Sequence, residues 1–201
     1  MKMRLRFLSV ILLLGAVAAL SSGCLLNVFQ TAKLIQSGDM SLVVGSGLID
    51  LSVNDTPSWT LTPQARMTFG LSDKVNLGFQ TGLMVPLSTG EPSWMGFTGD
   101  LKFGLMNDPE SVAMALGFGG GSGIHFLGWG VFGEFYLDLN VFPLFFAYQP
   151  TIPLSGDTFV IWHDATVGLC LNLSPTARLL IEVDTRNLTM WSYGMAFEIS
   201  F

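Results

Sequence analysis

At 201 residues the chain is long enough for a single domain; half of it is hydrophobic and only 12% is charged, about half the charged share of an ordinary soluble domain. So few charges cannot cover the outside of a water-soluble protein of this size. A net charge of −6 argues against nucleic acid as a partner, because that binding rests on Lys and Arg neutralising phosphates. With two cysteines, no C-x-x-C, and His125 and His163 far apart, no metal-ligand spacing or cofactor motif is present in the sequence.

Residues 1–23 read as a signal peptide and stand outside the fold. Lys2, Arg4 and Arg6 form a positive n-region, and an apolar run over 7–20 is too short to span a bilayer comfortably. Leu20-Ser21-Ser22-Gly23-Cys24 follows and resembles a bacterial lipobox, with Ser21 where Leu is commonest. That resemblance implies acylation of Cys24, which becomes the mature N-terminus; ordinary cleavage nearby, with Cys24 unmodified, is the plainer alternative. Leu25 in place of Asp implies sorting to the outer membrane. Loss of the leader leaves six basic against fifteen acidic residues, a net charge of −9. Cys170 then remains as a thiol, and one cysteine makes no intramolecular disulfide.

Residues 24–39 read as an N-terminal anchor and linker, with only a weak one-face pattern of Leu26, Phe29 and Lys33. The run Q-T-A-K-L-I-Q-S-G-D resembles the segment that leads into the first strand of small outer-membrane barrel lipoproteins.

From residue 40 to 201 the pattern has period two, and ten strands are expected, eight being the alternative count. The first, over 40–53, sets Val43, Ile49, Leu51 and Val53 on the apolar face against Ser46, Asp50 and Ser52. The second, over 59–71, opposes Leu61, Ala65, Met67, Phe69 and Leu71 to Thr62, Gln64, Arg66 and Thr68; the third, over 75–86, opposes Val75, Leu77, Phe79, Leu83 and Val85 to Asn76, Gly78, Gln80 and Gly82. Between them F-G-L-S-D-K-V-N-L-G resembles a strand–turn–strand signature of outer-membrane barrels. The fourth, over 94–106, puts Met95, Phe97, Leu101, Phe103 and Leu105 outward and Thr98, Asp100 and Lys102 inward. The fifth covers 111–119 and gives way to a glycine-rich loop reaching about Gly128; the sixth, over 129–139, turns Phe132, Glu134, Tyr136 and Asp138 inward. The seventh and eighth follow over 142–149 and 158–173. The ninth, over 177–187, alternates Leu179, Ile181 and Val183 with Arg178, Glu182, Asp184 and Arg186.

The last strand, over 191–201, reads W-S-Y-G-M-A-F-E-I-S-F, and its alternation is unbroken. Its length is that of a transmembrane β-strand. It resembles the C-terminal signal strand of bacterial outer-membrane β-barrels, which ends in Phe and is read by the barrel assembly machinery; Tyr193, Phe197, Ile199 and Phe201 are its signal positions. The fold class implied is an all-β, transmembrane, antiparallel up-and-down barrel in outer-membrane lipid, with both strand termini and the N-terminus periplasmic.

Asp50, Arg66, Asp100, Lys102, Glu134, Asp138, Arg178, Glu182, Asp184, Arg186 and Glu198 all fall opposite the apolar stripe and are expected to face a lumen, either a polar plug or a narrow wet pore. The run Gly117–Gly123 lacks the Lys-Ser/Thr and helix of a phosphate loop. His163 and Asp164 are adjacent, so they point to opposite faces and make no acid–base dyad. Neither they nor His125 match the pairings of outer-membrane hydrolases, and no catalytic residue is expected. The function expected is structural or passive-permeability, with an outer-membrane lipid or peptide hydrolase, or a surface-adhesion barrel, as alternatives.

Overall fold

A computed structural model of the protein describes residues 27–50, 58–88, 90–108, 111–123, 128–155 and 159–201. Cys24 and the leader, His125, and the 51–57 part of the first expected strand and its turn lie outside these residues.

Ten antiparallel strands close into one barrel: β1 (Met40–Asp50), β2 (Trp59–Ser72), β3 (Val75–Pro86), β4 (Ser93–Asn107), β5 (Val112–Gly123), β6 (Gly128–Leu139), β7 (Leu144–Pro153), β8 (Trp162–Ser174), β9 (Ala177–Arg186) and β10 (Met190–Ser200). Each strand pairs with its sequence neighbours. β10 returns to β1 with Val44 opposite Phe197 and Leu42 opposite Ile199. Reciprocal bonds of 2.9 Å between the backbones of Met40 and Phe201 seal that seam. Closure leaves no open edge, which in hydrocarbon would strand unpaired N–H and C=O groups. Strands six and seven are distinct, so the count is ten.

The connections at 73–74, 108–111, 140–143 and 175–176, two to four residues long, lie at the end that carries Met40 and Phe201; those at the other end run from three residues at 187–189 to eight at 51–58 and 154–161. Ser-Asp-Lys and Ser-Pro-Thr form tight turns in which Ser72 and Ser174 accept from the N–H two residues on, a local bond that favours reversal.

Three features depart from simple alternation. In β1, Ser41, Val43, Gly47 and Ile49 are the buried set and Val44 is exposed, so Val43 and Ile49 face inward and Asp50 takes the outward parity. Asp50 sits at the strand's loop end and accepts from the N–H of Ser58; it is a rim residue, not a lumen charge. The sequence does not set the phase here, because β1 carries no charge inside the bilayer to fix which face is polar. In β4 a register shift opposite Gly82 and Leu83 leaves Met95 without a partner; with Gly96 at φ 133°, the extra residue turns inward, and Met95 is fully buried instead of outward. Finally, the start of the expected glycine-rich loop is strand, with Gly120 opposite Val131 and Gly121 opposite Gly130; 124–127 lie outside the described residues. A Cβ on Gly119 would strike Phe132 and the carbonyl of Gly99, so the glycines mark close backbone approach.

Candidate functional site: a lumen closed from within

Among the described strand residues, Asp50 at the rim is the one formal charge with outward parity; the others project inward. Arg66, Asp100, Lys102, Glu134, Asp138, Asp164, Glu182, Asp184, Arg186 and Glu198 are all buried. Arg178 is half-buried beside Glu198. The outer face is the reverse: Val44, Leu116, Phe118, Val167, Tyr193, Met195, Phe197 and Ile199 are exposed. Phe69, Phe79 and Phe97 form a ladder across β2–β4, with centroids 6.3 and 5.8 Å apart, and Phe103 stacks on Phe118 at 5.7 Å. Trp59, Trp94, Trp129 and Trp191 stand outward near the loop ends of their strands, where a membrane-interface belt belongs. Trp162 turns inward, its ring under the Arg186 guanidinium at 4.8 Å. A charged interior inside an apolar exterior is the inverse of a water-soluble barrel; these features define a membrane-spanning β-barrel.

The lumen holds part of the chain's own N-terminal segment. Residues 27–32 are all buried, although nothing in their pattern requires it. The Asn27 amide donates to Asp184 at 2.7 Å, its Oδ1 accepts from Thr62 at 3.3 Å, and its carbonyl accepts from Gln80 at 3.0 Å. The N–H of Phe29 donates to the Glu182 carboxylate at 3.0 and 3.3 Å, and that of Ala32 to Asp138 at 2.7 Å. Lys102 donates to the carbonyls of Thr31 and Lys33 at 2.9 and 3.3 Å. The backbone therefore supplies donors to two wall carboxylates, Glu182 and Asp138, the Asn27 side chain supplies one to a third, Asp184, and backbone carbonyls supply the acceptors that a buried ammonium needs. Isolated charges in such a place would cost several kcal/mol each.

Apolar contacts complete the seat. Phe29 packs with Val43, Phe145, Leu180 and Ala196. Val28 and Ala32 join Ala113, Ala115, Tyr136 and Ala147. Phe29 holds a left-handed φ of 45°, uncommon for a bulky residue, and the Glu182 and aromatic contacts keep it there. At the turn end the segment leaves over Gly70, whose carbonyl accepts from Gly38 at 2.9 Å, and passes into β1.

Six of the wall's seven remaining charges pair with one another; the seventh, Glu134, keeps a buried Oε2 without a hydrogen-bond partner among the described residues. Arg66 makes a two-point bridge to Asp100 at 2.7 and 2.8 Å, Arg186 does the same to Asp164, and Arg178 meets Glu198 at 2.6 Å. Among the described residues, two cavities of about 20 Å³ lie beside the segment, each of the order of one water molecule.

Thus ten of the eleven lumen charges expected from the sequence face inward, and Asp50 does not. Sequence reasoning missed Asn27, Phe29 and Ala32. The available signal was the small inward residues: a side chain on Gly47 or Gly194 would collide with Asn27 or Phe29, and one on Gly104 with Leu34. Asp164 faces inward in its bridge to Arg186. His163 faces outward, its Nδ1 2.6 Å from the Tyr148 hydroxyl. The assembly positions Tyr193, Phe197, Ile199 and Phe201 are exposed on the apolar face.

No protein-family model matches the chain, and no curated protein matches it. Among solved structures the chain is similar to the KdgM porin, at TM-score 0.41 and 10% identity over 80% of this chain and 99% of that one. It is similar to the N-terminal β-barrel domain of Pseudomonas aeruginosa OprF at 0.39 and 9%, over 83% and 100%. It is also similar to the outer-membrane protease OmpT of Escherichia coli at 0.34 and 10%, over 81% and 95%. The likeness is one of barrel architecture.

Proposed function

We propose that this protein is an outer-membrane β-barrel with a structural role in the cell envelope, closed along its axis, rather than an open passive pore. One observation carries the choice between the two: residues 27–32 fill the lumen and are bonded to both charged and apolar parts of its wall. Placement in the outer membrane is supported by the even strand number, the apolar exterior and the leader at 1–23. In that orientation the short turns, Met40 and Phe201 are periplasmic and the longer loops external. Acylation of Cys24 and folding by the barrel assembly machinery through Tyr193, Phe197, Ile199 and Phe201 belong to the same reading. Globomycin or Cys24→Ala should block palmitate incorporation and alter processing; an unlabelled wild type would remove the lipid from the reading.

The test of closure is conductance of the full-length protein in a planar bilayer. Rare, brief openings or none are expected. A steady open level in most insertions would establish passive permeability instead. We assign no catalytic role to His163, whose ring meets the Tyr148 hydroxyl, or to His125. His163→Ala and His125→Ala should leave lipase and peptidase activities of the purified barrel unchanged, and loss of either activity in a folded variant would establish an enzyme.

A further inference from the structure

The lumen segment has a direction. Its Gln36 end lies at the turn side, where the N–H of Asp39 donates to the Gln36 carbonyl and Gly38 bonds to Gly70. Its Asn27 end lies far up the wall, bonded to Thr62 and Asp184, at the level where Gly47 pairs with Thr62 and Gly194. The chain thus runs from the loop side down to the turn side and reverses at 37–39 into β1.

Distances turn this into a topological statement. Gly47 is seven residues above Met40 in β1. At a strand rise of about 3.3 Å and a tilt of about 40°, that is about 18 Å along the barrel axis. Cys24 is three residues from Asn27, a reach of about 11 Å for fully extended chain. While the segment is seated, Cys24 cannot reach the membrane surface at the turn end.

The seat is also built to stay filled. Asp138 and Glu182 take backbone donors from the segment, and Asp184 takes one from Asn27 and one from Thr166. Withdrawal would leave three carboxylates facing a narrow lumen without those donors. Small wall residues Gly47 and Gly194 leave the space that Asn27 and Phe29 occupy.

We propose that the N-terminal segment is threaded through the barrel so that the mature N-terminus is delivered at the external mouth, and that an acyl chain on Cys24 enters the outer leaflet rather than the periplasmic one. This replaces the periplasmic N-terminus expected from the sequence, and it rests on the orientation given under the proposed function, with short turns periplasmic.

The experiment places a short epitope in the full-length protein at one of three points: between Leu25 and Leu26, in the external connection after Gly156, or in the turn after Asp73. Antibody binding is read on intact and permeabilised cells. The first two epitopes should be detected on intact cells, and the third only after permeabilisation. Adding Gly194→Phe, or independently Gly47→Phe, should abolish surface detection of the N-terminal epitope. Surface detection after Gly156 and heat-modifiable mobility should persist. An N-terminal epitope hidden on intact cells while the Gly156 epitope is exposed would overturn the threading alone. A Gly156 epitope that is hidden while the Asp73 epitope is exposed would overturn the orientation, and the threading with it. Retention of the N-terminal surface signal in both folded phenylalanine variants would overturn the lumen route.

Discussion

Arg66 and Asp100 show how single residues hold this interior. Their two-point bridge is buried, and the guanidinium lies where a Cβ on Gly78 would be, so the glycine makes the ion pair sterically possible. A buried pair adds little net stability over an apolar pair, but removal of one member leaves an uncompensated charge and costs about 3–5 kcal/mol. Asp100→Ala should therefore lower the stability of the refolded barrel by about that amount, seen as a drop in the urea midpoint with an unchanged slope. Glu91→Gln, at an exposed loop position, should change it by less than about 0.5 kcal/mol. An Asp100→Ala midpoint equal to wild type would mean that Arg66 finds another partner.

At the scale of elements, β10 and the lumen segment play opposite parts. β10 presents Tyr193, Met195, Phe197 and Ile199 to the membrane and closes the sheet against β1. Deletion of Phe201 should impair assembly and leave degraded, non-heat-modifiable protein, whereas Ser200→Ala should assemble normally. Met195 is near the middle of the strand, so Met195→Arg places a charge near the bilayer midplane at a cost of about 2–4 kcal/mol, measurable in the same urea titration. Normal stability of that variant would show that the outward face does not meet hydrocarbon.

The lumen segment contributes no strand; it completes the interior. Small residues at Ala113, Ala115 and Ala147 create room that Val28, Ala32 and Tyr136 fill, and Gly117 leaves room for Glu134, much as large and small side chains interlock in a soluble core. The wall alone would be an acidic channel with wide gaps at its glycines.

For the whole molecule, closure is therefore a property of chain path rather than of barrel size. Deletion of residues 27–36 should leave a barrel that still assembles, since strand pairing is untouched, but that now conducts. With Asp138, Glu182 and Asp184 uncovered, the current should be cation-selective, read from the reversal potential in a salt gradient. An assembled deletion variant that remains silent would mean that wall side chains collapse across the lumen.

The period-two pattern by itself determined the barrel, the apolar exterior and ten of the inward charges, and it favoured ten strands over eight. Those properties depend only on alternation along each strand and on the cost of a charge in lipid, both local to the sequence. The pattern failed at Val43, Ile49 and Asp50, where β1 has no mid-strand charge to set its phase, and at Met95, where a bulge shifts parity by one residue. Residues 27–32 carry at most a weak one-face pattern, because their burial is imposed from outside. Asn27 is separated from Asp184 by 157 positions, and Phe29 from Glu182 by 153. Only the closed tertiary structure brings those carboxylates round the axis and fixes which amides of the segment will satisfy them, and so it alone decided that the lumen is filled and from which end.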